Sequence, residues 1–117
     1  MGKGTLRASF AYAIRGIITA IVSGRNMKIH IFAALMAVMT GWWLGINCWE
    51  WAIITITIFL VLAAETVNTA IEKTVDLVTR EYHPLAKQAK NLAAGAVLLA
   101  AINAVIIGLL IFGSYLF

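Results

Sequence analysis

Residues 92–117 read LAAGAVLLAAINAVIIGLLIFGSYLF, an uncharged run in which Asn103 is the one strongly polar side chain. A helix needs about 20 mostly apolar residues to cross a bilayer, so this run is long enough to span one with some tilt. Residues 29–46 and residues 51–71 have the same apolar character, the latter as far as Glu65. The sequence therefore predicts three membrane-spanning helices, over about 29–46, 51–71 and 92–117.

The composition of the whole chain agrees with a membrane protein. Of its 117 residues, 62% are hydrophobic and 12% are charged, and the mean hydropathy is +0.94. A soluble domain has about a quarter of its residues charged. The single cysteine, Cys48, excludes a disulfide framework and a multi-cysteine metal site. We predict an all-α integral membrane protein, with residues 1–117 forming one membrane domain.

The basic side chains indicate how the spans are oriented. Five of the nine precede the first span, and the other four lie between the second and third spans. Because basic residues are enriched on the cytoplasmic side, the N-terminus is predicted to be cytoplasmic and the C-terminus to lie outside. The net charge of +4 is thereby explained by basic residues that flank the predicted spans. No nucleic-acid partner is predicted.

A different kind of segment, residues 5–23, precedes the first span. Apolar side chains recur there at spacings of three and four, while Arg7, Arg15 and Ser23 fall elsewhere around the helix. This pattern predicts an amphipathic helix lying on the cytoplasmic surface. A cleaved signal peptide is the alternative interpretation, although Arg15 interrupts what would be its apolar core.

Polar residues enter at the end of the second span, where residues 64–76 read AETVNTAIEKTVD. At 100° per residue, Glu65, Asn68, Glu72 and Asp76 lie on one face of a helix. An intramembrane carboxylate indicates function by default, and like charges on one face repel unless a cation or a proton lies between them. A divalent metal would relieve Glu72 and Asp76, and the deepest group, Glu65, suits a general base. The alternative is structural, with Glu65 hydrogen-bonded to a neighbouring helix in an oligomer.

The loop after this stripe, residues 80–91, reads REYHPLAKQAKN. Pro84 fits the first position of a helix, with His83 extended before it. Lys87 and Lys90 are then one turn apart, placed either to hold phosphate groups or simply to flank the membrane. The sequence contains neither a P-loop nor a kinase glycine-rich loop, so a nucleotide site here must be built differently.

These motifs resemble the small prokaryotic diacylglycerol kinase and undecaprenol kinase family over nearly the whole chain. The shared pattern is Glu65-x-x-Asn68-x-Ala70-Ile71-Glu72-x-x-Val75-Asp76, followed by Glu81-Tyr82-His83 and Lys90. Residues 25–30, 83–87 and 93–97 look more like the undecaprenol kinases of Gram-positive bacteria. The resemblance implies a homotrimer in the bacterial cytoplasmic (inner) membrane, with sites between subunits. It also implies Mg²⁺-dependent transfer of the ATP γ-phosphoryl group to a lipid alcohol, undecaprenol before diacylglycerol.

The resemblance implies a role for each matching residue. Glu65 would be the general base on the lipid hydroxyl, Asn68 would position Glu65 or a phosphate, and Glu72 would hold Mg²⁺. Glu65 and Ala94 would contact the lipid substrate. The residues expected around the nucleotide form a larger set: Tyr12, Glu72, Asp76, Glu81, Tyr82, His83, Lys90 and Asn91.

Two positions depart from the family pattern. The family typically has a glutamate where this chain has Gly24, sharing the metal with the Glu72 equivalent, and an aspartate where it has Asn91. A catalytically weak or inactive homologue that binds lipid or regulates is therefore a second hypothesis. A third is a proton-coupled transporter, which would use one intramembrane carboxylate and leave the polar residues of 80–91 without a role. If the metal site is only weakened, a glutamate restored at position 24 is expected to raise activity or metal affinity.

Overall fold

The computed structural model describes residues 5–117, which form four α-helices joined by short connections. They are α1 (Leu6–Ser23), α2 (Met27–Leu44), α3 (Cys48–Val78) and α4 (Pro84–Leu116). No strand occurs within the described residues, so the all-helical prediction is confirmed. Each of these four helices is long and apolar enough to cross a membrane. The position of α1 on the membrane surface therefore stays a prediction.

Local sequence fixes where the helices begin and end. At the start of α3, the Glu50 N–H donates to the Asn47 side chain at 2.9 Å, and the Asn47 N–H donates to the Glu50 carboxylate at 3.0 Å. This capping box satisfies two backbone donors that a helix start leaves free. α2 ends at Leu44 and is capped by Gly45, whose φ of 67° lies in the left-handed region that favours glycine. α4 starts at Pro84 after an extended His83, which confirms the prediction for that proline.

α3 and α4 are longer than the spans predicted within them. They contain 31 and 33 residues. At 1.5 Å per residue each is about 45–50 Å long, against a hydrocarbon core of about 30 Å. With the predicted spans in the bilayer, the end of α3 and the start of α4 project on the side of the 79–83 connection. The C-terminal end of α3 and the N-terminal end of α4 thus carry most of the polar residues between positions 64 and 91.

α3 lies at the centre of the bundle, where it contacts the other three helices and packs most extensively against α4. Its buried side chains form one stripe: Ile54, Thr57, Val61, Glu65, Asn68 and Thr69. Near the start of α3, Ile46, Ile54 and Ile111 form an apolar cluster. Further along the stripe the most deeply buried large side chain is Glu65, which is 1% exposed. Because burying a carboxylate costs free energy unless it is paired, Glu65 points to a functional site.

Candidate active site

A cleft of about 820 Å³ opens where the second half of α3 meets the first turns of α4. The 79–83 connection and the α1–α2 junction complete its walls. Sites for small molecules are typically about 300–1,000 Å³, so the cleft has the size of such a site. Eight predicted site residues line it: Glu72, Asp76, Glu81, Tyr82, His83, Lys90, Asn91 and Ala94.

The cleft carries charges of both signs, with positive charge in excess. The four cationic side chains that line it are Arg25, Arg80, Lys87 and Lys90. The three carboxylates are Glu72, Asp76 and Glu81. This mixture suits a polyphosphate, because cations bind the phosphate oxygens while carboxylates bind an accompanying divalent metal ion.

An ion pair between Lys90 and Asp76 joins the two helices that form the cleft. The Lys90 Nζ donates to Asp76 Oδ1 at 2.7 Å, and the two side chains are 41% and 44% exposed. This hydrogen bond, with the nearby positive charges, holds the pKa of the Asp76 carboxyl below its ordinary value of 3.8. Because the folded-state pKa is lowered, the pair contributes at neutral pH and is lost only as the pH falls through that lowered pKa.

A second ion pair reaches from the α1–α2 junction to α3. The Arg25 guanidinium donates to Glu72 Oε2 at 2.7 Å, and the two side chains are 80% and 24% exposed. Arg25 thus neutralises the carboxylate that is predicted to hold Mg²⁺. An exposed arginine is able to exchange between a carboxylate and a phosphate, because its planar fork of donors matches both groups.

The donor set of the cleft limits how a metal ion is bound. Within residues 5–117, no three histidine, cysteine, aspartate or glutamate side chains are grouped to hold a metal ion. A cage made only of protein ligands therefore does not fit this part of the chain. Mg²⁺ is usually bound through one or two carboxylates together with substrate phosphates and waters. Glu72, partly exposed in the cleft, fits that mode of binding.

Glu65 and Asn68 lie deeper in the bundle and do not line the cleft. Glu65 precedes Glu72 by seven residues, which is two helical turns or about 10 Å along α3. Among the described residues, Glu65 Oε2 and Asn68 Oδ1 are buried and accept no hydrogen bond. An unsatisfied buried acceptor costs about 1–3 kcal/mol. A ligand that brings a donor to either oxygen is therefore stabilised there.

The predicted polar stripe is divided between different surroundings. Glu72 and Asp76 share the cleft, whereas Asn68 lines a groove on the side of α4. Glu65 faces α2, where His30 Nε2 lies 3.3 Å from Glu65 Oε2. That distance is a close contact, but its alignment falls short of a hydrogen bond.

His30 also lines an apolar groove of about 350 Å³ between α2, α3 and α4. Small residues, including Ala33, Ala37 and Ala104, make up much of its wall. The groove brings apolar surface to the neighbourhood of Glu65. Such surface favours a hydrocarbon chain over a polar ligand.

Tyr12 does not line the cleft of its own chain. It lies on α1 and is 43% exposed. The Arg15 guanidinium lies 5.8 Å from the centroid of its ring, a cation–π contact. The predicted nucleotide set is therefore brought together in the cleft except for this residue.

Three residues of the site are not revealed as such by the sequence patterns. Arg25 and Arg80 read as flanking charge, and nothing in the chain order brings Arg25 to Glu72, 47 residues away. His30 lies inside the apolar run 29–46. An ionisable side chain within a predicted span is the signal that would have identified it.

Gly24 is closely packed at the end of α1. A Cβ built there would overlap the Ala20 carbonyl oxygen and would lie 3.1 Å from Met27 Cβ and 3.3 Å from Thr69 Oγ1. The Gly24 N–H already donates to that Ala20 oxygen at 2.8 Å, so the backbone would have to shift. A glutamate restored at position 24 therefore meets a steric obstacle before it can improve a metal site.

We expect Gly24→Ala to lower the free energy of unfolding by about 1–3 kcal/mol, the usual cost of overpacking. Met27 is 2% exposed and has little room to give way. Thermal unfolding in detergent measures the change. Gly16→Ala is the matched control, because a Cβ at Gly16 on the same helix meets nothing within 4 Å. A Gly24→Ala protein as stable as the wild type would contradict the close packing.

Known proteins resemble this chain over most of its length. The family model described as prokaryotic diacylglycerol kinase matches residues 11–112. An undecaprenol kinase of Bacillus subtilis is 46% identical over 104 residues, covering 89% of this chain and 85% of that protein. A diacylglycerol kinase of Synechocystis sp. is 45% identical over 104 residues, covering 88% and 59%. A diacylglycerol kinase of Escherichia coli is 34% identical over 95 residues, covering 81% and 78%.

The apolar helical fold, the charged cleft and these matches together define the class of the protein as a lipid kinase. The match includes parts of all four helices, among them the polar face of α3 that carries Glu65, Glu72 and Asp76, and the first turns of α4. The chain belongs to the prokaryotic diacylglycerol kinase family. The resemblance carried by the sequence motifs is confirmed.

Proposed function

We propose that this protein transfers the γ-phosphoryl group of Mg²⁺-bound ATP to the hydroxyl of a membrane lipid alcohol. The observation that carries the proposal is the position of Glu65. It is a buried carboxylate with an unpartnered oxygen, two helical turns from a cleft rich in cations. Phosphoryl transfer needs mainly positioning and charge neutralisation, and this small set of groups supplies both.

The cleft is proposed to hold the nucleotide. Lys90, Lys87 and Arg80 provide donors for phosphate oxygens. Lys90 is already held toward the cleft by Asp76, so its ammonium is placed before the nucleotide binds. The remaining residues of the proposed nucleotide site are Glu72, Asp76, Glu81, Tyr82, His83 and Asn91.

Mg²⁺ is proposed to be held by Glu72 together with phosphate oxygens. When bound, Mg²⁺ neutralises negative charge on the β- and γ-phosphates. Arg25 must leave the Glu72 carboxylate for this to occur, and a phosphate group offers its guanidinium an equivalent partner. The ion pair therefore keeps the Arg25 guanidinium beside the proposed nucleotide site, where it is able to donate to a phosphate.

Glu65 is proposed as the general base. Its carboxylate takes the proton of the lipid hydroxyl while the hydroxyl oxygen forms a bond to the γ-phosphorus. The bond between the γ-phosphorus and the bridging oxygen breaks, and ADP leaves with that oxygen. Asn68, one turn along the helix, is proposed to position Glu65 or a phosphate, and Ala94 to contact the lipid at the cleft.

Undecaprenol is the favoured acceptor and diacylglycerol the second. The relative at 46% identity is named an undecaprenol kinase, and those at 45% and 34% are named diacylglycerol kinases. The apolar groove beside His30 supports an acceptor with a long hydrocarbon chain. Both lipids have that property, so the groove alone does not choose between them.

A homotrimer in the bacterial cytoplasmic membrane is also proposed. Many large apolar side chains are exposed on α2 and α4, including Phe32, Leu99 and Leu109, which supports their burial against lipid or other subunits. The role predicted for Tyr12 requires a site shared between subunits, because Tyr12 is not at the cleft of its own chain. The proposed orientation places α1 and the cleft on the cytoplasmic side, where ATP is available, and the C-terminus outside.

A weak or inactive homologue that binds lipid or regulates is the second candidate function. The observation that favours it is the pairing of Glu72 with Arg25. Gly24 and Asn91, moreover, stand where the family typically has carboxylates. A cleft with fewer free carboxylates has a lower affinity for Mg²⁺.

Phosphoryl transfer from radiolabelled ATP tests the proposal. Undecaprenol and diacylglycerol are compared side by side in detergent micelles, with Mg²⁺ and with Mg²⁺ removed by a chelator. We expect Mg²⁺-dependent labelling that is stronger on undecaprenol. If folded protein that still binds ATP labels neither lipid, the second candidate replaces the first.

A further inference from the structure

One close contact between ionisable side chains lies in the interior of the bundle, outside the cleft. His30 Nε2 on α2 is 3.3 Å from Glu65 Oε2 on α3, and the side chains are 19% and 2% exposed. Within residues 5–117, His30 is the ionisable side chain that Glu65 contacts. In such a buried environment the effective dielectric constant is low, so an aligned polar contact is strong.

We infer that His30 is a positioning residue for the Glu65 carboxylate, an inference that rests on the proposed role of Glu65 as the base. In the substrate complex the His30 imidazole, with a proton on Nε2, donates to Oε2 of Glu65, which it approaches to 3.3 Å in the present structure. Oε1 is then the oxygen that accepts the proton of the lipid hydroxyl. A carboxylate fixed at one oxygen keeps its orientation, and misplacing a reacting group by about 1 Å costs about 10²-fold in rate.

The contact is short, but it is not aligned as a hydrogen bond before substrate binds. Oε2 accepts no hydrogen bond at the present geometry, although Nε2 is within 3.3 Å. Hydrogen bonds of catalytic groups are often long or poorly aligned before substrate binds and tighten in the complex. The terminal torsion of histidine is broad, so a rotation of the imidazole completes the bond while α2 and α3 stay in place.

His30 lies in the same short segment as Arg25, so this segment contacts both the proposed base and the proposed nucleotide site. His30 lies in the first turn of α2, where its N–H donates to the Asn26 carbonyl at 3.1 Å. The same short segment therefore contacts Glu72 through Arg25 and Glu65 through His30.

The test compares His30→Leu, which removes the donor and keeps an apolar side chain, with His30→Gln, whose amide keeps a donor. kcat for lipid phosphorylation and KM for Mg²⁺·ATP are measured in micelles. We expect His30→Leu to lower kcat about 10²-fold with KM changed less than about twofold, and His30→Gln to recover most of kcat. Thr40→Val is the control, since Thr40 lies on the same helix as His30 but outside the groove, and its hydroxyl donates within that helix to the Met36 carbonyl.

The outcomes separate this inference from the proposed function. If His30→Leu keeps the kcat of the wild type, or if both His30 variants lose kcat and raise KM alike, the positioning role is overturned and the kinase activity stands. If Glu65→Gln is as active as the wild type, the base assignment falls and the positioning role falls with it.

A measurement on folded protein covers the case in which His30→Leu does not fold. The chain contains two histidines, so the imidazole nitrogen signals in an NMR spectrum are assigned with the variant His83→Asn. We expect the His30 signals to shift in Glu65→Gln relative to the wild type, because the partner of Nε2 loses its charge. Unchanged His30 signals would overturn the inference.

Discussion

Glu65→Gln is expected to lower kcat for lipid phosphorylation by about 10²- to 10⁴-fold, the usual contribution of a general base. Glutamine keeps the size of the side chain at a position that is 1% exposed. Removing a charge from the interior lowers the cost of burial, so the fold is preserved. Nucleotide binding is expected to be unchanged because Glu65 does not line the cleft. Steady-state transfer of labelled phosphate and equilibrium binding of ATP measure the two effects.

Glu50→Gln is the matched control for this variant. It makes the same chemical change at the opposite end of α3, where a glutamine still completes the capping box with Asn47 and a hydrogen bond with Tyr115. We expect Glu50→Gln to retain activity. Turnover retained in Glu65→Gln would leave the structural interpretation, in which Glu65 joins the helices of an oligomer. A change in the elution volume of Glu65→Gln would then be expected instead.

The helical character of the fold follows directly from the sequence, but hydropathy alone does not give the helix lengths. A segment in a bilayer must satisfy its own backbone hydrogen bonds, so long apolar runs are read reliably as helices. Hydropathy marks the apolar part of a helix and not its ends. α3 therefore runs on to Val78, past the end of the predicted span at residue 71, because residues 72–78 include no helix breaker. This agrees with the single helix on which Glu65 and Asp76 are predicted to share a face. Pro84 marked the start of α4 because proline has a specific place in the first turn.

Part of the candidate site is predicted by the helical periodicity of the sequence. Glu72 and Asp76 are four residues apart on one helix, so periodicity predicts a shared face, and both line the cleft. Periodicity does not say which neighbouring helix a side chain meets. Asn68, rotated by about 60° from Glu65 around the helix, lines the groove toward α4, whereas Glu65 meets His30 on α2.

The parts of the site that sequence patterns do not predict depend on contacts between separate helices. The pairs Arg25–Glu72 and His30–Glu65 both depend on how the α1–α2 junction packs against α3. No local pattern encodes that packing. Gly24 shows the same limit, because its steric role is set by Ala20, Met27 and Thr69 around it and not by its own identity. The sequence resemblance predicts a lost carboxylate at Gly24, while the structure shows a closely packed position without space for a side chain.

Glu72→Gln is expected to raise both the Mg²⁺ concentration for half-maximal activity and KM for ATP. Each should rise by at least the roughly 10- to 100-fold that loss of an outer-shell partner of a metal ion costs. An amide does not replace the charged oxygen that Mg²⁺ prefers. kcat at saturating Mg²⁺·ATP is expected to change much less, because Glu72 lies two turns from the proposed base. Activity titrated against Mg²⁺ at fixed ATP measures the effect, and Glu50→Gln again serves as the control.

Arg25→Ala separates the two roles that Glu72 is able to have. If Glu72 holds the metal, Arg25→Ala frees its carboxylate, so the Mg²⁺ requirement does not rise while KM for ATP does, because a phosphate donor is lost. If Glu72 only anchors Arg25, the two single variants have the same effect and the double variant adds nothing. An unchanged Mg²⁺ dependence in Glu72→Gln would contradict the ligand role. The Arg25 guanidinium would then take the place of the metal ion beside Glu72, and Gly24 and Asn91 would supply no further carboxylate to bind one.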